Sequence, residues 1–280
     1  MCGLLVCREC ISASGGLGSA HFFVGGSGVV FHSDLDNTLI YSYKHEIGLH
    51  KICVEIYQNR EISYMTEVSA ALLKQVREKT LFVPTTTRTE EQYQRICLGK
   101  QPPEYALTCN GGILLVQGER DLDWYLQSRE MLTDCQTELY DAGKLLKTDK
   151  NVNFEVRNIE KLFLFTKSVR PEQTVCRLQN YLKGSQLEIF SNGMKVYAVP
   201  GKLNKGEAVR RFRQKVQAGI VAAAGDSRFD ISMLEEADLA LADHGLMGER
   251  IQGRHVVYLG EKGIFSDEML KYILSIDDIS

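Results

Sequence analysis

The chain has no apolar run long enough to cross a bilayer and no block of like charge. The first absence argues against a membrane-spanning helix. The second, with a formal net charge of -3 and acids and bases interspersed, leaves no basic stripe of the kind a nucleic-acid binder carries. The N-terminus lacks the ordered charged and apolar regions of a signal peptide, since Leu4-Leu5-Val6 is too short. The eight cysteines are scattered, and Cys7-Arg8-Glu9-Cys10 has neither a second pair nor a histidine pair to complete it. Neither a disulfide framework nor a zinc site is expected; the pattern reads as reduced thiols in a cytoplasmic protein. The run Gly25-Gly26-Ser27-Gly28 has no strand before it and no helix after it, so it is no dinucleotide fingerprint.

What the chain does have is an ordinary globular composition, 44% hydrophobic and 25% charged, over 280 residues. That length allows one large domain or two small ones. Residues 1–28, rich in Gly, Ser and Ala, read as an extension, or as a small extra element packed on the core. From Val29 strand-like and helix-like segments alternate, predicting an α/β core with a parallel sheet. The expected order is a strand ending at Asp34, a hairpin turning at Gln58-Asn59-Arg60, a helix capped by Thr66, a strand into Thr85-Thr86-Thr87-Arg88, a helix from Thr89, and a strand closing on Asn110-Gly111-Gly112.

The rhythm changes over 117–199. One helix is expected over 124–146, strands over 152–156 and 162–166, a helix starting at Pro171, and a hairpin turning at Asn192-Gly193. This is helix-strand-strand twice over, an open sheet with helices on one face. The α/β pattern resumes after Lys205, with a strand ending at Gly225-Asp226-Ser227. The expected organisation is therefore a discontinuous core, 29–116 and 200–280, enclosing an inserted α+β domain, 117–199.

Function is written at the strand ends. Val29-Val30-Phe31-His32-Ser33 runs into Asp34-Leu35-Asp36. Two carboxylates one residue apart repel, and a divalent cation is the usual offset; a solvated turn is the other reading. In an α/β sheet the ends of parallel strands lie side by side, so Asp34 and Asp36, Thr86, and Asp226 with Asp230 are predicted to converge, with Lys205 at the start of a helix nearby. A carboxylate nucleophile, a cation and donors for phosphoryl oxygens are what phosphoryl transfer requires.

These four motifs, in this order, resemble those of the haloacid dehalogenase-like phosphohydrolases, and the resemblance extends from Val29 to Leu274. An insertion between the second and third motifs resembles the type-IIB cap of the Cof-like and sucrose-phosphate-phosphatase-like branch. The resemblance implies a Rossmann-like three-layer α/β/α core and an Mg²⁺-dependent phosphatase. Asp34 would be the nucleophile that forms an aspartyl-phosphate, and Asp36 the acid and then the base. Thr86 and Lys205 would bind the phosphoryl oxygens. The metal would be held by Asp34, the Asp36 backbone carbonyl and Asp226, with Asp230 orienting Lys205 or a metal-bound water. Asn37 stands where the family has glycine, and Thr86-Thr87-Arg88 where this branch has Thr-Gly-Arg. Three threonines in a row leave Thr85 as a competitor for Thr86. The Thr-Thr-Thr-Arg-Thr and Thr-Cys-Asn-Gly-Gly wording resembles members found with tellurite-resistance and stress gene clusters.

Thr87, Arg88, Asn110 and, in the inserted domain, Arg157 are candidates for contacting substrate. His32 reads as a core histidine. The expected substrate is a small phosphorylated metabolite, a sugar phosphate or a nucleoside-like phosphate, with no nucleic-acid or membrane partner. A sugar phosphomutase and a non-catalytic phosphometabolite-binding module are the alternatives.

Overall fold

The structure, a computed structural model, describes residues 28–276. The expectations for 1–27, including the Cys7–Cys10 pair, lie outside the described residues. The elements in chain order are β1 (Val29–Ser33), β2 (Tyr41–Ser42), β3 (Lys51–Tyr57), β4 (Arg60–Thr66), α1 (Glu67–Lys79), β5 (Leu81–Pro84), α2 (Glu90–Tyr93), β6 (Tyr105–Thr108), β7 (Ile113–Val116), β8 (Glu119–Arg120), α3 (Leu122–Met131), α4 (Gln136–Lys147), β9 (Arg157–Ile159), β10 (Phe163–Lys167), α5 (Pro171–Tyr181), β11 (Leu187–Asn192), β12 (Lys195–Pro200), α6 (Lys205–Val216), β13 (Ile220–Gly225), α7 (Ile231–Glu236), β14 (Leu239–Asp243), β15 (Val256–Leu259) and α8 (Phe265–Ser275). They divide into two compact units. Among the described residues, one comprises 28–111, Leu115–Glu119 and 205–276; the other comprises Gly112–Leu114 and Arg120–Asn204.

The first unit is built on a parallel five-stranded sheet in the order β15-β14-β13-β1-β5. Its middle strands carry apolar runs, Val29-Val30-Phe31 and Val221-Ala222-Ala223-Ala224, and bury almost every residue. A strand buried on both faces needs helices on both faces. Two helix pairs supply them, α1 with α8 and α6 with α7. Thr66 caps α1 as its sequence position predicts, accepting from Ser69 N at 2.8 Å. The expected hairpin is present as β3 and β4, turned by Gln58 and Asn59 at positive φ. The helix expected at Thr89 is a single turn, closed by a capping box between Thr89 and Gln92.

The second unit is a four-stranded antiparallel sheet in the order β11-β12-β10-β9. Leu164, Val196, Ala198, Leu187 and Ile189 on one face pack against Leu139, Ala142 and Leu146 of α4 and Leu178 of α5. Two expectations differ in detail. The helix expected over 124–146 breaks into α3 and α4 around a 3₁₀ turn at Thr133–Cys135. The strand expected over 152–156 does not form there; a shorter one, β9, begins five residues later at Arg157. Val152 and Val156 do pack against the apolar core, which is what their alternation reported. Pairing is decided instead by the three-residue turn Glu160-Lys161-Leu162, its first two residues at positive φ, which joins β9 to β10 and sets Arg157 opposite Phe165. Among the described residues no helix is long and apolar enough to cross a membrane.

Candidate active site

Three neighbouring strands bring the sequence motifs to one edge of the parallel sheet. β1 lies between β13 and β5. Ser33 is in register with Ala224 and with Pro84. Just beyond these positions Asp34 N donates to Ala224 O at 2.9 Å and Thr85 N to Ser33 O at 2.8 Å. Asp34, Thr86 and Asp226 therefore leave adjacent strands at the same level. Immediately afterwards the chain turns through Asn37, whose φ of 62° is the left-handed conformation that glycine or asparagine tolerates.

Lys205, the first residue of α6, is 1% exposed. Its Nζ donates to Asp34 Oδ1 at 2.5 Å and to Asp230 Oδ1 at 2.6 Å. Two glycines permit close approaches here, Gly206 that of α6 to α7 and Gly225 that within the turn after β13. A Cβ on Gly206 would lie 2.3 Å from Ser232 O, and one on Gly225 would lie 2.3 Å from Asp230 Cβ. Asp230 Oδ2 accepts from Asp226 N (3.2 Å), Ser227 N (3.0 Å) and Ser227 Oγ (2.8 Å). One Asp230 oxygen is thus occupied by the turn and the other by the ammonium.

Carboxylate oxygens of Asp34, Asp226 and Asp230 lie within 4.8 Å of one another. Burial, more than any other influence, holds Asp34 well above the usual carboxylate range; Lys205 opposes the shift, and Asp230, Asp226 and Asp36 add to it. Asp226 is pushed up to about 7, first by burial and then by Asp230, against the Thr38 hydroxyl that donates to it at 2.8 Å. Burial alone would lower Lys205, but Asp230 and Asp34 together raise it above its ordinary value, so it stays an ammonium. An oxygen-only donor set whose members repel one another suits a hard divalent cation. Because Asp230 is already saturated, Asp34 and Asp226 are the side chains best placed to bind one.

Asp36 stands apart from this cluster. Its two carboxylate oxygens accept from Arg88 Nε and Nη2, both at 2.7 Å. Arg88, expected to meet substrate, has its remaining edge on Glu55, with Nη1 donating to Oε2 at 2.8 Å. The threonine ambiguity has a geometric answer. Thr85 Oγ1 meets His32 Nδ1 at 2.9 Å and donates to Val83 O at 3.2 Å, facing the core. Thr86 Oγ1 accepts from Arg88 N at 3.1 Å and keeps its own proton for a further partner. Thr87 is exposed. Asn110, at φ 58°, donates its N–H to Thr86 O at 3.0 Å and so stands beside that loop. Arg157 belongs to the second unit, exposed and paired with Glu155.

The second unit carries a feature that sequence reading missed. On the sheet face turned away from α4 and α5, cross-strand register aligns Arg157, Phe165, Tyr197 and Phe190 in one row. Phe190 stacks on Tyr197 with ring centres 5.3 Å apart, Tyr197 meets Phe165 at 5.4 Å, and Phe154 lies 6.0 Å from Phe165 under Arg157 and Lys167. Thr38, Ser227 and Glu55 are also residues that sequence reading did not single out. Strand pairing brings Thr38 to Asp226, the turn after β13 brings Ser227 to Asp230, and Glu55 reaches Asp36 only through Arg88.

A family model described as haloacid dehalogenase-like hydrolase matches residues 104–242. Over these residues the chain is similar to the haloacid dehalogenase-like hydrolases. No curated protein matches the chain in sequence. Among solved structures, the fold is similar to the sucrose-phosphatase of Synechocystis in complex with sucrose and phosphate, with a TM-score of 0.61, 18% identity, and 91% of this chain and 100% of that one covered. It is also similar to the C-terminal domain of trehalose-6-phosphate phosphatase from C. albicans (TM-score 0.57, 13% identity, 90% and 93% covered). A third similar structure is the IMP-nucleotidase of Plasmodium falciparum (TM-score 0.54, 12% identity, 89% and 69% covered). The family match takes in Lys205, Asp226 and Asp230; Asp34, Asp36 and Thr86 lie before it, and their place in the site rests on the sheet geometry.

Proposed function

We propose that the chain is an Mg²⁺-dependent phosphatase of small phosphomonoesters, working through an aspartyl-phosphate on Asp34. The observation that carries this reading is Lys205, buried with its ammonium between Asp34 and Asp230 beside Asp226. A cluster so costly to bury needs a cation and an anionic ligand to balance it. Mg²⁺, held by Asp34 and Asp226 with the Asp36 backbone carbonyl, would supply positive charge against the phosphoryl oxygens. In-line attack by an Asp34 carboxylate oxygen on phosphorus forms the acyl phosphate as the P–O bond to the leaving group breaks. Asp36 delivers a proton to that departing oxygen, then takes one from the water that hydrolyses the acyl phosphate. Lys205 and the Thr86 hydroxyl neutralise charge on the equatorial oxygens, and Asp230 holds Lys205 in place.

The second unit serves, in this reading, as the cap that selects the leaving group. Its aromatic row with Arg157 suits a ring, the apolar face of a sugar or a nucleobase, that stacks flat on it. The relatives that act on sugar phosphates and on IMP support both classes.

The test is a steady-state screen, with Mg²⁺, of sugar phosphates and nucleoside monophosphates, scored by released inorganic phosphate. Turnover of at least one member is expected, abolished in Asp34→Asn. Phosphate returned to the sugar would identify a mutase instead, and full activity in Asp34→Asn would refute the assigned nucleophile.

A further inference from the structure

Glu55 is 1% exposed, on strand β3 of the hairpin, and lies far from the acid cluster in sequence. The pairing of β3 with β4 slips at this residue, between Cys53 and Glu55 and again between Glu55 and Ile56. Such a bulge turns a side chain out of the regular alternation, and bulges recur beside active sites for that reason. The redirected carboxylate is fully engaged. Oε2 accepts from Ser63 Oγ at 2.7 Å and from Arg88 Nη1 at 2.8 Å. Oε1 accepts from Arg95 Nε at 3.2 Å and Nη2 at 3.1 Å. Arg95 is itself seated, with its guanidinium 4.6 Å above the Tyr57 ring.

A buried ion pair adds little net stability, because desolvation consumes most of the attraction. What this one supplies is direction. A guanidinium is planar, and anchoring Nη1 on Glu55 fixes the plane in which Nε and Nη2 present their fork. That fork is closed on both oxygens of Asp36. The Arg88 backbone is held as well, its N–H on Thr86 Oγ1 and its carbonyl accepting from Cys109 N at 2.7 Å.

We infer that Glu55 is a positioning residue: through Arg88 it sets the orientation of Asp36, the group that must reach the leaving oxygen. This rests on the phosphatase reading for its kinetic consequence, but not for the clasp itself. Placement of the acid matters in proportion to how badly the leaving group needs a proton. An alkyl phosphate expels an alkoxide and needs it; p-nitrophenyl phosphate expels a stable phenolate and does not.

The experiment compares full-length wild type with Glu55→Gln, and with Arg88→Lys in case the first variant folds poorly, on β-glycerol phosphate and p-nitrophenyl phosphate with Mg²⁺. Glu55→Gln is expected to lower kcat on the alkyl ester at least tenfold more than on the aryl ester, with both KM values within about threefold of wild type. A merely structural role lowers both rates by one factor, and that result, or no loss on either ester, overturns the inference. The second readout needs no turnover. The arginine Nε–H resonance that Arg88→Lys deletes should be slowly exchanging in wild type and lost or fast-exchanging in Glu55→Gln; its persistence unchanged overturns the clasp. A wild type that hydrolyses neither ester defeats the phosphatase reading alone, and the resonance then decides the role of Glu55.

Discussion

Thr85 and Thr86 are neighbours of the same type, both fully buried, yet they face different surroundings. Alternation along an extended chain sends successive side chains to opposite faces, so one hydroxyl turns into the core and the next toward the strand ends. In the proposed mechanism Thr86→Ala would remove a donor for the phosphoryl oxygens, and it is expected to lower kcat/KM by about 10²-fold, with the melting temperature little changed. Thr85→Ala leaves the buried His32 Nδ1 without its hydroxyl. It should cost on the order of 1–3 kcal/mol in denaturant unfolding while the folded fraction keeps its activity. His32 itself is held neutral, because burial lowers it to about 3, and it packs edge-on against Phe212 at 5.4 Å. The motif residues were readable as residue types at strand ends. Which of the three threonines turns to the site was not, because that depends on where the strand stops.

The segment between β13 and α7 is a turn assembled around one carboxylate. Asp230 ties down the Asp226 and Ser227 amides, and Gly225 leaves the space in which it sits. Gly225→Ala would force Asp230 away from Lys205, since a Cβ 2.3 Å from Asp230 Cβ has no room. Activity is expected to fall by at least tenfold even where the chain still folds, measurable as a loss of kcat in a variant whose thermal unfolding remains cooperative. Helix α1 was legible from Thr66 and its apolar spacing, and the β3–β4 hairpin from its polar turn. The β9 strand was not: Val152, Phe154 and Val156 alternate as a strand would, but the tight turn at Glu160-Lys161 assigns the pairing to Arg157–Ile159. Apolar alternation reports burial, and hydrogen-bond register is a separate matter.

At the scale of the whole molecule, bringing three strand ends together concentrates negative charge where water is scarce. The sign of the resulting pH dependence follows from Asp226, which moves from 3.8 to about 7 on folding. The folded chain holds a proton that the unfolded chain has released across that interval. The stability this group contributes is therefore present below about pH 4 and lost as pH rises through 7. Without metal, Asp226→Asn is expected to match wild type near pH 4 and to exceed it at pH 8 by up to a few kcal/mol. Mg²⁺ should raise the melting temperature of wild type at pH 8 and leave Asp226→Asn nearly unmoved. Thermal melts with EDTA and with Mg²⁺ at the two pH values check both statements; a metal-free Asp226→Asn less stable than wild type at pH 8 would contradict the argument.

The amino-acid sequence alone determined the class of fold, because strands buried on both faces need mostly apolar runs, and polar chemistry gathers at their ends. It also determined which acids, threonines and lysine compete for the site, since residue type limits what each group can donate or accept. Tertiary structure decided the rest. It put Lys205 between Asp34 and Asp230, closed Arg88 onto Asp36, brought Glu55 in from a hairpin, and lined up Phe165, Tyr197 and Phe190 across three strands. Each of these depends on register and on a bulge or turn, which bring side chains from distant segments into contact and leave no periodic trace in the chain itself.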